Sequence, residues 1–255
     1  MEQLSVFPQR SRILSGSALK TLALIAMLID HTAICFSPWL GTSLYASMPA
    51  ALVPLLTKLF QLLKVPFTPY VLLRGIGRIA FPIFCFLLAE GARHTRSWKR
   101  YAGSLLLFAL VSEIPFNLFN SGSLHFARQN VFFTLFLGYL GILALERVRE
   151  HPFLASLTLV MLGLVSCFLQ ADYGWAGFLF ILLLYLLARQ PAAQLFSGVA
   201  LLGWPVGVAL AFPLMNLYNG KRGFIRGPVW KYLYYGIYPV HLAILWLLHR
   251  HFFGY

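Results

Sequence analysis

Long apolar runs separated by short polar loops dominate the sequence. The first extends from Leu19 to Phe36, and seven more follow at 71–89, 101–119, 130–145, 152–169, 174–188, 194–212 and 231–248. About 20 apolar residues in a helix cross the hydrocarbon core of a bilayer. The pattern therefore predicts an all-α fold: a polytopic membrane helix bundle of about eight transmembrane helices.

The stretch between the first two runs has a different character. Residues 43–69 are apolar but include four prolines and two lysines. Proline interrupts a continuous helix, so we expect an amphipathic or re-entrant segment that lies on the outer surface of the membrane. This gives a cytoplasmic N-terminal segment at 1–18 and a single transmembrane domain at 19–250, with 43–69 as an outer-surface insertion.

Composition agrees with a membrane protein and argues against nucleic acid as a partner. Of the 255 residues, 60% are hydrophobic and 11% charged, whereas soluble proteins have about a quarter of their residues charged. The net charge of +13 comes from basic residues in short loops between the apolar runs, which is the pattern of cytoplasmic loops. The three cysteines are far apart, and their spacing predicts no metal site.

The basic loops set the predicted orientation. The densest cluster comprises Arg93, Arg96, Lys99 and Arg100. With this cluster and the basic N-terminus in the cytoplasm, eight spans place both termini on the cytoplasmic side of a bacterial inner membrane. One loop conflicts with this arrangement, because it would lie outside while it carries Lys221, Arg222 and Arg226.

Polar residues within the apolar runs predict a shared cavity. Asp30 and His31 lie about 16–18 Å into the first span, and Glu113 lies about 18 Å into the third. Arg78 and His241 lie about 10 and 15 Å from the outer face. An ionisable group at this depth costs roughly 3 kcal/mol or more unless it is paired or solvated. We therefore expect these side chains to meet.

Two pairs are expected among these residues, Asp30 with Arg78 and His31 with His241, and each has two interpretations. Arg78 is the expected counter-ion of Asp30, either as a structural ion pair or as part of a functional site. His31 points about 100° away from its neighbour Asp30. Together with His241 it is either a hydrogen-bonded structural histidine or half of a proton-handling site.

Five motifs resemble, in this order, the TraX family: LIDH, GRIAFPIF, QNVFFTLFLG, DYGWAGFLFIL and YYGIYPVHLAIL. That family is known for a membrane acetylase that caps the N-terminal amine of conjugative pilin. The resemblance implies acetyl-CoA as the acyl donor and places functional weight on Asp30, His31, Arg78 and His241. It also implies the lipid bilayer and a pilin or other cell-surface acceptor as partners.

The resemblance suggests roles for further residues. The basic loop is either a topology signal or a binding site for the donor's phosphates, and the donor-binding candidates are Arg74, Arg93, Arg96, Lys99 and Arg100. The substrate-binding candidates are Glu113, Asn117, Asn130 and Tyr173. Asn130 can equally be a helix cap, and Tyr173 an anchor at the membrane interface.

Three functions are therefore compatible with the sequence. In a membrane acetyltransferase, a histidine accepts a proton from an amine or hydroxyl that attacks the thioester. In a proton-coupled transporter, the buried Asp, His and Glu relay protons. In a non-catalytic protein of pilus assembly, the polar cluster is structural.

Overall fold

The described part of the protein is a bundle of helices. The computed structural model describes residues 12–40, 54, 58, 68–148, 150–203 and 205–254. The predicted insertion at 43–69 and most of the predicted segment at 1–18 lie outside the described residues. Within them every regular element is helical, which confirms the all-α class.

Eleven helices lie in the described ranges. They are α1 Gly16–Cys35, α2 Ser37–Leu40, α3 Pro69–Gly77, α4 Ala80–His94, α5 Trp98–Ser121, α6 Val131–Arg147, α7 Pro152–Phe168, α8 Gly174–Leu186, α9 Pro191–Leu202, α10 Pro205–Asn216 and α11 Gly227–Phe253. By length and composition, three segments are suited to cross a membrane: α1, α3 and α4 together, and α5. The shorter apolar helices complete the bundle.

Helix α1 packs against several other helices of the bundle. Ser15 caps it, because its side chain accepts a hydrogen bond from the Ala18 amide at 3.2 Å. Such a cap satisfies one of the free amides at the start of a helix. Small and apolar residues such as Ala23 and Met27 are buried in the core, so α3, α4 and α11 pack closely around α1.

The second apolar run is broken into α3 and α4 at Arg78 and Ile79. Pro82 explains the position of the break, because it has no amide hydrogen to bond the carbonyl of Arg78 one turn earlier. The residue before the break, Gly77, is buried against Asp30, and a Cβ atom there would overlap the Asp30 side chain. The break and the glycine together bring α3 against α1.

The seventh run, predicted as one span, is a hairpin of two 12-residue helices, α9 and α10. The chain reverses at Gly203, whose φ of +69° lies in the left-handed region that favours glycine. Gly198 of α9 packs against Val208 and Phe212 of α10. Each helix is about 18 Å long and so is shorter than the hydrocarbon core.

The hairpin meets the helix break. A Cβ on Gly207, near the start of α10, would lie 2.5 Å from the carbonyl oxygen of Gly75 and 2.7 Å from Cβ of Arg78. The turn of the hairpin therefore lies at the level of the α3–α4 break. The hairpin enters and leaves the bundle at the same end, so it does not cross the bundle as the predicted single span would.

Helices α1 and α11 run parallel. Three contacts follow one another in the same direction along both helices: Thr21 with Tyr234, His31 with His241, and Cys35 with Leu245. The end of α11 therefore lies at the opposite end of the bundle from the start of α1. Among the described residues, this arrangement disagrees with the prediction that both termini share one side.

The conflicting basic loop lies beside the start of α1. The amides of Gly16 and Ser17 donate to the carbonyls of Lys221 and Arg222 at 2.8 and 2.9 Å. The Ser17 hydroxyl also donates to Arg222 and accepts from the Ile225 amide. This loop thus belongs to the end of the bundle where α1 begins, and the charge conflict disappears.

The fold predicts the sidedness of three positions. Reporter fusions at the N-terminus and after Asn219 should report the same side of the membrane, and a fusion after Gly254 should report the other side. Paired alkaline phosphatase and GFP fusions measure this directly. A Gly254 fusion on the same side as the N-terminus would contradict the parallel packing of α1 and α11.

Candidate functional site

A cavity of about 140 Å³ lies inside the bundle. Lys20, Tyr101 and Tyr234 line one end, and His31 and Asp172 line the other. Lys20 and His31 are eleven positions apart on α1, so the cavity extends along the helix for about 16 Å. Between the ends the lining is mostly apolar, from α1, α4, α5 and α6. The cavity is therefore long and narrow, with titratable groups at both ends.

His31 and His241 are in direct contact beside the cavity. Their rings are nearly parallel, with centroids 4.9 Å apart and an interplanar angle of 10°. Nδ1 of His31 lies 2.6 Å from Nε2 of His241. Nδ1 of His241 lies 2.8 Å from the carbonyl oxygen of Ile237. The sequence prediction that these two histidines meet is confirmed.

The chain of contacts determines which nitrogen of each ring carries hydrogen. A carbonyl oxygen can only accept, so Nδ1 of His241 is the donor to Ile237. In a neutral ring Nε2 of His241 is then an acceptor, and Nδ1 of His31 donates to it. Hydrogen positions are inferred from this network. The lone pair of neutral His31 therefore resides on Nε2, and His31 lines the cavity.

Aromatic rings enclose the histidine pair. The ring centroids of Phe119 and Tyr238 lie 5.7 and 6.2 Å from that of His31. Tyr238 and Pro239 are buried within α11 just before His241. This environment restricts the rotation of both imidazoles, so the pair is held in one arrangement.

Asp30 pairs with Arg74, not with the predicted Arg78. Arg74 Nη1 donates to Oδ2 of Asp30 in a salt bridge whose side chains are each 14% exposed. The predicted partner Arg78 lies one helical turn further on, at the helix break, and its charge also acts on Asp30. The direct salt bridge is thus made one turn earlier than predicted. The other carboxylate oxygen, Oδ1, is buried and has no hydrogen-bond partner among the described residues.

Arg78 contacts Tyr173 instead. Its Nη1 donates to the Tyr173 hydroxyl at 3.4 Å. The Tyr173 ring stacks on Phe81, with centroids 3.5 Å apart and parallel planes. Burial raises the pKa of the Tyr173 hydroxyl, so this group is a neutral phenol. Tyr173 therefore forms a wall of the cavity and links α4 to the start of α8.

Asp172, beside Tyr173, was not identified from the sequence, where DYGWAG indicated a turn. It lines the cavity and retains accessible surface, while the surrounding protein displaces most of its solvent. This desolvation raises its pKa to about 6, against the opposing effect of Arg78 and Arg128. The nearby charges of Asp30 and Arg74 act in opposite directions on the same carboxyl group. A desolvated acid thus lies at the His31 end of the cavity.

Three of the predicted substrate-binding residues make structural hydrogen bonds: Glu113 and Asn130 join α5 to α6, and Asn117 holds the loop that follows α5. Asn130 caps α6 by accepting from the Phe132 amide at 3.1 Å, and its side-chain amide donates to Glu113 at 2.6 Å. Asn117 donates to the carbonyl of Leu124 at 2.9 Å. None of the three lines the described cavity, whereas Tyr173 does.

The predicted donor-binding residues divide between the two ends of the bundle. Arg74 is at the far end with Asp30, so it does not join the others. Arg93 pairs with Glu90 at 2.6 Å and its guanidinium lies over the Tyr185 ring. The remaining three, Arg96, Lys99 and Arg100, are exposed on the loop and first turn between α4 and α5.

Several cavity residues were missed from the sequence because aromatic residues are common at membrane interfaces. They are Lys20, Tyr101, Tyr234, Tyr235 and Tyr238. The signal was available in YLYYGIYPVH, where the tyrosines at 234, 235 and 238 precede His241 at the 3–4 residue spacing of one helix face.

Comparison with known proteins supports the motif resemblance. The family model described as TraX protein matches residues 15–249. A curated relative is the "Probable fimbrial assembly protein FimC, serogroup H1" of Dichelobacter nodosus, which is 29% identical over 260 residues. That match covers 91% of this chain and 94% of the relative. No solved structure matches the chain.

The Asp30–Arg74 pair predicts a specific energetic coupling. Asp30→Asn and Arg74→Gln should each lower the yield of folded protein in detergent, since stranding a buried charge costs about 3–5 kcal/mol. The double substitution should recover part of the loss. Asp30→Asn with Arg78→Gln is the comparison pair and should recover less, because Arg78 acts on Asp30 without a direct salt bridge. Coupling of Asp30 to Arg78 rather than Arg74 would contradict the observed pair.

The raised pKa of Asp172 predicts a pH-dependent stability. The folded carboxyl holds its proton to about pH 6, above the ordinary value of 3.8. Its contribution to the free energy of unfolding therefore falls as pH rises from about 4 through 6. Asp172→Asn should raise the unfolding temperature at pH 7.5 and have little effect near pH 4. A pH-independent difference between the two proteins would show that Asp172 does not titrate in this range.

Proposed function

Because the chain belongs to the TraX family, we propose that it is an integral-membrane acetyltransferase that acts in pilus or fimbrial assembly. Its acyl donor is acetyl-CoA, and its acceptor is an extracytoplasmic amine or hydroxyl, such as the N-terminal amine of a pilin or fimbrial subunit. The observation that carries the proposal is the His31–His241 pair at one end of a long internal cavity.

The histidine pair suits general base catalysis. Nε2 of His31 takes a proton from the acceptor as its nitrogen or oxygen attacks the carbonyl carbon of the thioester. The new C–N or C–O bond forms, the C–S bond breaks, and the leaving thiolate receives the proton from His31. His241 is a positioning residue, because its hydrogen bond holds His31 in the tautomer with a free Nε2.

The shape of the cavity supports access from two sides. The end at Lys20 lies near the start of α1, together with the basic loop that joins α4 to α5. Arg147 belongs to the same end, since its guanidinium stacks on Trp98 at 4.5 Å. Basic loops favour the cytoplasm, so the donor enters here and its thioester reaches His31 about 16 Å deeper.

The acceptor approaches from the opposite end. Asp172, Asp30 and Tyr173 line that end of the cavity, and Arg74 pairs with Asp30 beside it. A carboxylate there attracts a cationic amine, while the ion pair fixes the position of α1. A fimbrial subunit as acceptor agrees with the name of the relative from Dichelobacter nodosus. In this orientation the protein lies in the bacterial inner membrane with its C-terminus outside.

The test is acetyl transfer in membranes of the native host. Acetyl-CoA labelled in the acetyl group is added, and label in the envelope fraction and release of free CoA thiol are measured. His31→Ala should reduce transfer by about 10²–10⁴-fold, the usual contribution of a positioned base. His249→Ala is the control, because His249 lies on α11, the helix that carries His241, and contacts the Cys35 carbonyl rather than the cavity.

Variants of His241 distinguish positioning from a purely structural role. His241→Gln offers a carbonyl oxygen that can accept from Nδ1 of His31, so it should retain more activity than His241→Ala. Both should keep the folded yield of the wild type if the role is positioning. A well-folded His31→Ala protein that transfers acetyl groups at the wild-type rate would overturn the proposed mechanism.

A further inference from the structure

Two lysines share one aromatic ring at the entrance of the cavity. Nζ of Lys20 lies 4.9 Å from the ring centroid of Tyr235, and Nζ of Lys231 lies 5.6 Å from the same centroid. Lys20 also lies over Tyr234, and Lys231 over Tyr101. Two ammonium groups are thus held on different helices by the tyrosines that line the cavity.

The charged side chains that act on these lysines are cations, and Lys231 also has the Tyr232 phenol beside it. The residues that act electrostatically on Lys20 are Lys231 and Arg222, both cationic. Across the described ranges, the carboxylates in salt bridges are Asp30 and Glu90, and neither pairs with these lysines. Like charges brought together away from bulk water repel one another strongly. The cluster is therefore arranged to receive an anion.

Hydrogen bonds hold the two lysines and their neighbours in place. Nζ of Lys231 donates to the Ser104 hydroxyl at 2.8 Å, which fixes the lysine between α5 and α11. The Tyr234 hydroxyl lies 3.0 Å from Oγ1 of Thr21, one residue after Lys20. The cationic groups are consequently positioned by α1, α5 and α11 together. In contrast, Arg93 in the nearby basic loop already has Glu90 as its partner.

We propose that Lys20 and Lys231 form a binding site for a phosphate or diphosphate group. Two ammonium groups held close together match the charge and the acceptor oxygens of such a group. Because the cavity extends about 16 Å from Lys20 to His31, one ligand can place its phosphates at the lysines and its reactive end at the histidine. This inference rests on the proposed function, in which that ligand is the acyl donor.

Inorganic pyrophosphate tests the site without any acyl transfer. The purified protein is placed in nanodiscs of zwitterionic lipid, and its unfolding temperature is measured with increasing pyrophosphate at constant ionic strength. The wild type should be stabilised, because a ligand that binds the folded state raises the unfolding temperature. Lys20→Gln and Lys231→Gln should each lose most of this response.

Two controls make the loss interpretable. Lys221→Gln removes an exposed lysine from the same end of the bundle and should respond like the wild type. Lys20→Arg keeps the charge and should restore a measurable response. If the glutamine variants do not fold, lysine labelling of the wild type replaces them. Pyrophosphate should then protect Lys20 and Lys231, but not Lys221, from an amine-reactive reagent read by mass spectrometry.

A lipid headgroup is the alternative source of the phosphate. In nanodiscs that contain phosphatidylglycerol, a soluble ligand site keeps its pyrophosphate response, whereas a lipid site is already filled and loses it. Both results support a phosphate site and identify its natural occupant. A wild type that does not respond in either lipid, or a Lys20→Gln protein that responds fully, would overturn the proposal.

The phosphate-site proposal and the acetyltransferase proposal can be tested independently of each other. Lys20→Gln should raise KM for acetyl-CoA by at least tenfold with kcat little changed, since it removes binding remote from the reacting atoms. His31→Ala should lose turnover while its pyrophosphate response stays intact. If pyrophosphate binds at the lysines but no variant transfers acetyl groups, the phosphate site stands and the acetyltransferase proposal fails.

Discussion

The structure depends on the cost of placing Asp30 and His31 side by side in a membrane helix. Each needs a polar partner, and on a helix the two side chains point about 100° apart. One partner must therefore approach α1 from one side and the other from a different side. Arg74 of α3 satisfies the first requirement, and His241 of α11 satisfies the second.

These two requirements explain the irregular features of the bundle. The break at Arg78 and the missing side chain of Gly77 allow α3 to reach Asp30. The α9–α10 hairpin returns the chain to the end where α1 begins, so that α11 can run parallel to α1. The backbone contacts of the loop at 217–226 with Gly16 and Ser17 then fix the register in which His241 meets His31.

The sequence allowed part of this to be predicted. Depth along each apolar run was sufficient to bring His31 and His241 together, because both lie well inside continuous helices. Depth was insufficient to identify the salt-bridge partner of Asp30. Arg74 and Arg78 differ by one helical turn, and the helix break decides which of them makes the salt bridge. Gly203 and Pro205 marked the reversal in the seventh run, but the apolar residues on both sides masked it. Asp172 and Lys20 were missed because each resembles an ordinary residue at a membrane interface.

The parallel contact between the first and last long helices has a consequence for the order of synthesis. His31 and His241 are separated by 210 positions in the chain. Domains that fold during translation acquire their structure from the N-terminus onward. Here the imidazole that hydrogen-bonds to His31 leaves the ribosome 210 residues after it. A nascent or truncated chain without α11 contains Asp30, Arg74 and most of the cavity wall, yet it lacks the histidine pair. The histidine pair can therefore form only after α11 has been made and inserted.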